Sequence, residues 1–493
     1  DEFPKGYGSF VHEFLAVLPK GLPSPGEPYE AKTLSVPAAR DRLPVLGNGS
    51  ARFRYRVQME HDPTNWGPGP DEAPYRFEGG VFWTGRALFI TAPGSRIEVT
   101  FSAPTSQRIS VSFEPIVGRA DSYTVPGESR LRDSMVVVGD YREARLPVGK
   151  AMVTIALGGE LKDSMPVVEE AVHRFLDASG RLFGGAPPRR LLVVANLSDS
   201  KGSSFGGAFG GDTSILTPEP WSLSNGDAWR PLLCHELFHL WNGQAISFGD
   251  RQQYWFSEGV TEYYSQLLPV RLGVESTARL LEVMGGKWVS YVGAGRSTSL
   301  LAAGDEKFLS NALLYDGGAL AAFILDLQIR AATSNHRSLD DVLRSLYKTS
   351  RNQKGKGLTF DQITRTVSAV SGRSMDGFFS RYIQGREDLP LADSLKLAGI
   401  GLRTEITDLP DKGFVIWQLL RCPSVTVTPD GLLVNKSESE QIRSGDVIIT
   451  ASGNPVRTFH DLVMSSRDWK PASQVVLTVI RDGKTVDLDV VLG

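Results

Sequence analysis

The stretch His235-Glu236-Leu237-Phe238-His239 constrains this chain more than any other. On an α-helix, residues four apart lie one above the other on a single face. His235 and His239 can therefore offer two imidazole nitrogens to one metal ion. Glu236 lies about 100° round the helix from His235, within reach of a water on that ion. Two histidines are not a complete site, because a catalytic zinc usually takes three protein ligands and keeps a fourth position for water. Glu258, in Trp255-Phe256-Ser257-Glu258-Gly259, supplies the third. Residues 240–257 separate it from His239, room for one helix to end, a loop, and a second helix to begin. Glu262 is one turn beyond Glu258 and can accept the free ring N–H of a ligand histidine. A bare pair of histidines four apart also occurs on solvated or well-packed helices; the glutamates at these spacings distinguish this one.

The rest of the chain must fold around that feature. Its 493 residues suggest about three domains. Hydrophobic residues make up 41% and charged residues 22%, an ordinary globular composition. The net charge is −3 with no long run of one sign, so neither nucleic acid nor an anionic membrane is an expected partner. No apolar run is expected to span a bilayer, which needs roughly 20 residues. The chain opens at Asp1-Glu2-Phe3-Pro4 without a methionine or a signal-like segment. It reads as a trimmed or mature chain, for which a periplasmic or secreted location is the expectation and a cytoplasmic one stays open. Cys234 and Cys422 lie far apart in sequence, and no disulfide between them is expected.

Periodicity divides the chain. Up to about residue 155 it reads as β structure, with runs at 51–57, 80–83, 87–90, 96–101, 134–139 and 151–156 punctuated by Pro, Gly and Asp. His12 and His61 lie there without spaced partners. Met165 to Phe183 then carries apolar residues at helical spacing, closed by Gly184-Gly185 and Pro187-Pro188. His173 belongs to that helix face. Leu191-Leu192-Val193-Val194 reads as a strand. The Gly-rich run 203–216 lacks the lysine of a phosphate-binding loop. It reads as a loop before a strand, or as a backbone edge at Gly206 and Gly207 against which a peptide can lie. The metal helix is expected from Asp227, as N-cap, to Asn242-Gly243, with Pro231 tolerated early. The second ligand helix is expected from Ser257 to Leu268, before Pro269. Helices continue to about 385, one of them capped by Ser338. The last hundred residues alternate as short strands, with Arg481-Asp482-Gly483-Lys484 as a hairpin turn and His460 on a helix.

Several ordered motifs carry a resemblance. His235 to Asn242 reads His-Glu-x-x-His-x-Trp-Asn, and Trp255 to Tyr264 reads Trp-x-x-Glu-Gly-x-Thr-x-Tyr-Tyr. Tyr315 to Asp341 contains Tyr-x-x-Gly followed by Ser-Leu-Asp-Asp, and Gly445-Asp446-Val447-Ile448 looks like a PDZ strand. The chain resembles the glycyl aminopeptidase family of zinc metallopeptidases, gluzincins that carry a C-terminal PDZ domain. The resemblance implies a multidomain α+β protein. Its domains would be a β-rich N-terminal domain over 1–158, a thermolysin-like, mostly helical peptidase domain over 159–392 and a PDZ domain over 393–493. It also implies one zinc per chain and a peptide or protein substrate. A second peptide at the PDZ domain would use strand addition, or that domain would only pack on the rest. Tyr315 is implied as a hydrogen-bond donor to the oxyanion, and Glu236 as general base.

One position departs from the pattern. Related aminopeptidases read Gly-Gly-x-Glu at the edge before the metal helix, and the glutamate grips the substrate's α-amine. Here Phe209 stands at that place. Asp212 lies three residues on, which along one strand would point it away from Phe209. Losing a charge-assisted hydrogen bond costs about 1.5–3 kcal/mol. Aminopeptidase action is therefore expected alongside two alternatives. One is an endopeptidase or non-peptide hydrolase without the amine anchor; the other is a non-catalytic, PDZ-bearing binding protein.

Overall fold

In the computed structural model, the described residues are 7–17, 31–33, 52–59, 70–91, 97–185, 189–198, 204–295, 297–353, 356–402, 420, 424–428, 430–437, 439–457, 461–462, 465–466, 469–470 and 472–492. His61, Pro187-Pro188, Cys422 and His460 lie outside them. The protein is a multidomain α+β chain with β-rich N-terminal sheets, a helical middle region and a C-terminal β-sheet. Cα packing separates two units, 1–240 and 241–493.

The first unit opens with β1 (Val11–Val17), β2 (Ala31–Thr33) and β3 (Arg52–Val57), an antiparallel sheet ordered β2-β1-β3. Next come β4 (Tyr75–Phe77), β5 (Gly80–Thr84), β6 (Ile97–Thr100), β7 (Arg108–Ser110), β8 (Glu114–Pro115), β9 (Ser122–Val125) and β10 (Met135–Gly139). They form the sheets β4-β5-β10-β7 and β6-β9-β8. The short helices α1 (Gly85–Leu88) and α2 (Glu128–Arg132) interrupt them. Helix α1 corrects the strand expected at 87–90. A Cβ on Gly85 would fall 2.1 Å from the Leu131 carbonyl oxygen, so tertiary contact pins this backbone. The Phe89 N–H closes the turn onto the Gly85 carbonyl at 2.9 Å.

The sheet that supports the site is β11 (Arg142–Val148), β12 (Ala151–Leu157), β13 (Arg190–Leu197), β14 (Phe205–Phe209) and β15 (Asp212–Thr217), ordered β11-β12-β13-β15-β14. Strands β12, β13 and β15 run parallel at its centre. A strand covered on both faces is apolar throughout, and Val153, Ile155, Leu192, Val194 and Ile215 are all fully buried. Helix α3 (Met165–Phe183) makes the crossover from β12 to β13, as parallel strands require. It spans the residues its periodicity indicates and ends at Gly184 in the left-handed region, φ +83°. Strands β14 and β15 are a hairpin turned by Gly210 (φ +54°) and Gly211 (φ +101°), which leaves β14 at the sheet edge. Helix α4 (Gly226–Phe238) completes the unit.

The second unit begins with α5 (Tyr254–Arg271) and α6 (Thr277–Gly293). A π-helical turn, Ala312–Gly317, then leads into α7 (Gly318–Ala332). The run Ala312–Ala332 has the length and apolarity to cross a bilayer, contrary to the expectation from sequence. Here it packs as a core helix, with Leu320, Ala321, Ile324, Leu325 and Ile329 fully buried. Helix α5 continues through Pro269 instead of stopping before it. At that point the missing N–H costs a single bond near the helix end. Helices α5 and α7 touch through glycines: a Cβ on Gly259 would meet Gly318 Cα at 2.3 Å. Helix α8 (Leu339–Asn352) carries the expected Ser338 cap, as a capping box with Asp341, and α9 (Phe360–Ser371) follows.

The C-terminal sheet comprises β16 (Ser424–Thr428), β17 (Gly431–Lys436), β18 (Val447–Ala451), β19 (Asn454–Pro455), β20 (Gln474–Arg481) and β21 (Lys484–Val491). Its order is β16-β17-β18-β20-β21, with β19 on β18. Asp482 (φ +51°) and Gly483 (φ +73°) form the expected hairpin turn. Leu432, Val434, Ile448, Leu477, Val479 and Val490 make its core.

Candidate metal centre

Helix α4 presents the paired imidazoles. Its N-cap is Asn225, and Asp227 lies inside the first turn, a correction of two residues. Asn225 is held there because its side-chain carbonyl accepts the Ser222 N–H at 2.8 Å. Trp221 and Trp229 stack at 5.1 Å across the start of the helix. Regular helix stops at Phe238, short of the expected Asn242-Gly243. His239 is the C-cap, still in right-handed helical backbone at φ −60° and ψ −17°, and its N–H donates to the His235 carbonyl at 3.2 Å. The four-residue register of the two rings therefore survives the end of the helix. Their Nε2 atoms lie 3.0 Å apart. Two nitrogens bound tetrahedrally to one zinc at about 2.0–2.1 Å would lie about 3.3 Å apart.

Glu258 sits on α5 and is buried. Ligand atoms of His235, His239 and Glu258 all lie within 4.8 Å of one another. Two neutral imidazoles and one carboxylate are a donor set suited to zinc, so the residues fit the ion that the sequence motif implies. Asn242, fully buried, holds the start of α5. Its Nδ2 donates to the carbonyls of Phe256 and Ser257 and to Thr261 Oγ1, at 3.3, 3.0 and 3.0 Å.

Lys307 was not flagged by any spacing in the sequence. Its Nζ lies 2.8 Å from Glu258 Oε1, over the ring of Tyr254 at 4.7 Å and that of Tyr315 at 5.7 Å. Burial works against its charge, and the adjacent Glu258 outweighs that, holding the amine well above the ordinary lysine range. Tyr315 lies in the π-helical turn, half-buried. Glu262 pairs with Lys287 at 2.7 Å, and Lys287 also reaches Asp316 at 2.9 Å, so α5 is tied to the turn that carries Tyr315.

Gly206 lies on the edge strand against Glu236. A Cβ there would fall 2.7 Å from Glu236 Oε1, so glycine lets the acid approach the backbone. Asp212 does not replace the missing glutamate. The hairpin places it directly across from Phe209, not on the opposite face. Its buried carboxylate is committed to the N–H groups of Met135 and Leu192, the Ser112 hydroxyl and Arg130.

Residues 228–302 match the M61 glycyl aminopeptidase family, and residues 399–492 match the PDZ domain. The first match contains both histidines, Glu236 and Glu258. That stretch resembles the M61 glycyl aminopeptidases, and it is the part of the chain that carries the candidate metal site. The chain shares its fold with an aminopeptidase N family protein from Idiomarina loihiensis, at a TM-score of 0.70 and 17% identity over 99% of this chain and 90% of that one. An M1 zinc metallopeptidase from Deinococcus radiodurans superposes with a TM-score of 0.50 and 20% identity, over 73% and 80% of the two chains. Leucine aminopeptidase 2 of Eremothecium gossypii is 30% identical over 117 residues, 23% of this chain. The match spans 18% of that relative's length.

Proposed function

We propose that this chain is a zinc-dependent metallopeptidase that hydrolyses peptide bonds and is related to aminopeptidases. The observation that carries the reading is the convergence of His235, His239 and Glu258 within 4.8 Å, with the buried Glu236 following the first of them in sequence. A zinc held by these three would supply Lewis acidity to the scissile carbonyl and to an attacking water. Glu236 takes the proton of that water and delivers it to the leaving amine. Tyr315 donates a hydrogen bond to the carbonyl oxygen as negative charge develops there. Glu262, paired with Lys287, holds α5 to the turn that carries Tyr315. The open edge of β14 at Gly206 and Gly207 pairs with the extended substrate backbone.

Glu236→Gln tests this directly. The variant keeps the shape of the side chain and removes its basicity, so it should bind about one zinc per chain by metal analysis. Peptide turnover should fall by about 10²–10⁴-fold, the usual contribution of a general base. Full turnover in that variant would remove Glu236 from the mechanism.

The PDZ domain extends the reading to a second peptide, bound as an added strand. Titrating the full chain with C-terminal peptides should show saturable binding that zinc removal leaves intact. Absence of binding across a peptide library would reduce the domain to a packing role.

A further inference from the structure

Helix α5 carries Tyr254, Glu258 and Glu262 on one face, each a turn apart. Two lysines from other segments meet that face. Lys307, in the 3-10 segment Ala302–Leu309, pairs with Glu258 at 2.8 Å and lies over the rings of Tyr254 and Tyr315. Lys287, on α6, pairs with Glu262 at 2.7 Å and with Asp316 at 2.9 Å. Tyr315 and Asp316 are consecutive. Each lysine therefore joins one glutamate of the ligand helix to one residue of the same π-helical turn.

That turn is gripped from two sides. A Cβ on Gly318 would fall 2.5 Å from the Trp255 carbonyl oxygen on α5, and one on Gly317 would fall 2.7 Å from the Tyr291 ring on α6. The Ser290 hydroxyl, also on α6, donates to the second oxygen of Asp316 at 2.5 Å. The Lys287 side chain is only 13% exposed. Burial works against its charge; Glu262 and then Asp316 outweigh that and hold the amine above the ordinary lysine range. Without the lysine, two carboxylates that now share one nitrogen would be left uncompensated and would repel each other. A single π-helical turn is rare and recurs at functional sites, and the residue this one carries is Tyr315.

We propose that Lys287 is a positioning residue for hydrolysis. It locks the π-helical turn to the ligand helix, and so holds the Tyr315 hydroxyl where negative charge develops on the carbonyl oxygen. This rests on the metallopeptidase reading above and deepens it. A hydrogen-bond donor acts on that oxygen only if it is in place beforehand, and a misplacement of about 1 Å can cost about 100-fold in rate. Lys287 touches neither substrate nor metal ligand in this scheme; it acts through Asp316 and the backbone of its neighbour.

The test uses the full-length, zinc-loaded chain and a synthetic peptide library, with kcat and KM measured on the best-cleaved member. Lys287→Met keeps the length of the side chain and removes its charge. It should lower kcat by about 10- to 100-fold, short of the 10²–10³-fold that follows outright loss of an oxyanion donor. KM should stay within about twofold, because the interaction lost is made in the transition state. Zinc should stay at about one per chain. In a Tyr315→Phe background the same substitution should change kcat by less than about twofold, since the group it positions is gone. Amide hydrogen exchange at 312–317, followed with and without zinc, should be at least about 10-fold faster in Lys287→Met. The proposal is overturned by an unchanged kcat, by a loss carried in KM or in zinc content, by an equal fall in the Tyr315→Phe background, or by unchanged exchange. Should Lys287→Met fail to fold, Asp316→Asn, which keeps the shape of the side chain and removes its charge, must lower kcat by about threefold or more; an unchanged kcat overturns the proposal. Cleavage of no peptide by the unmutated chain would overturn the peptidase reading instead, and the exchange rates at 312–317 would then decide by themselves whether Lys287 holds the turn.

Discussion

At the scale of single residues, the arrangement around Glu258 depends on a side chain with no place in any motif. Lys307 pairs with Oε1 of the carboxylate at 2.8 Å. An outer partner of this kind orients a ligand, and its loss typically costs 10–100-fold in metal affinity. Lys307→Met, which keeps the length of the side chain, should weaken zinc binding by about that factor in competition with a chelator. Unchanged affinity would mean that the α5 backbone alone holds Glu258 in place. His235 and His239 were legible in the sequence because their four-residue spacing is a property of helices, and Glu258 because a carboxylate follows at the start of the next helix. Lys307 and Lys287 were not, because they arrive through packing from segments with no periodic relation to the motif.

At the scale of elements, the recurrent motif residues acquire physical jobs. Tyr263 donates to Asp326 at 3.0 Å, and Tyr264 to Asp340 at 2.6 Å, where Arg271 also closes a two-pronged ion pair. Tyr264 and Arg271 thus clamp α5 onto Asp340 at the start of α8, while Tyr263 ties α5 to Asp326 of α7. The Glu-Gly pair has a similar explanation. Gly259 follows the ligand and packs on Gly318, three residues after Tyr315. Bare backbone at both positions sets how closely Glu258 and Tyr315 approach. Gly318→Ala would place a methyl 2.5 Å from the Trp255 carbonyl oxygen. Overpacking of a tight core typically costs 1–3 kcal/mol. Because backbone must move here, the loss should be about 2–3 kcal/mol or more, read from the urea midpoint. A loss under about 0.5 kcal/mol would show that the two helices can separate freely. The π-helical turn at Ala312–Gly317 had no sequence signal, since a one-residue widening of a helix alters no apolar period that a short window resolves. The ends of α4 were misplaced by two to four residues because contacts outside the helix set them: Asn225 makes no side-chain cap bond and is instead fixed by accepting the Ser222 N–H ahead of the helix.

At the scale of the whole molecule, metal binding and stability are linked. An ion that binds the folded chain and not the unfolded one stabilises it by about 4 kcal/mol when present at a thousand times its dissociation constant. Stripping zinc with a chelator should therefore lower the thermal midpoint, and adding zinc should restore it. A midpoint indifferent to both would mean that the three donors hold no ion. The division into a β-rich start, a helical middle and an alternating C-terminal module followed from the sequence. Local periodicity and turn chemistry act over a few residues, and they specify elements without reference to anything distant. The candidate ligand group was indicated by intervals along one helix and onto the next. Tertiary structure alone decided that Asp212 is spent on backbone N–H groups, that Lys307 faces Glu258 and that Lys287 joins Glu262 to Asp316. Each is a contact between segments remote in sequence, whose meeting depends on every intervening turn, and no interval along the chain encodes it.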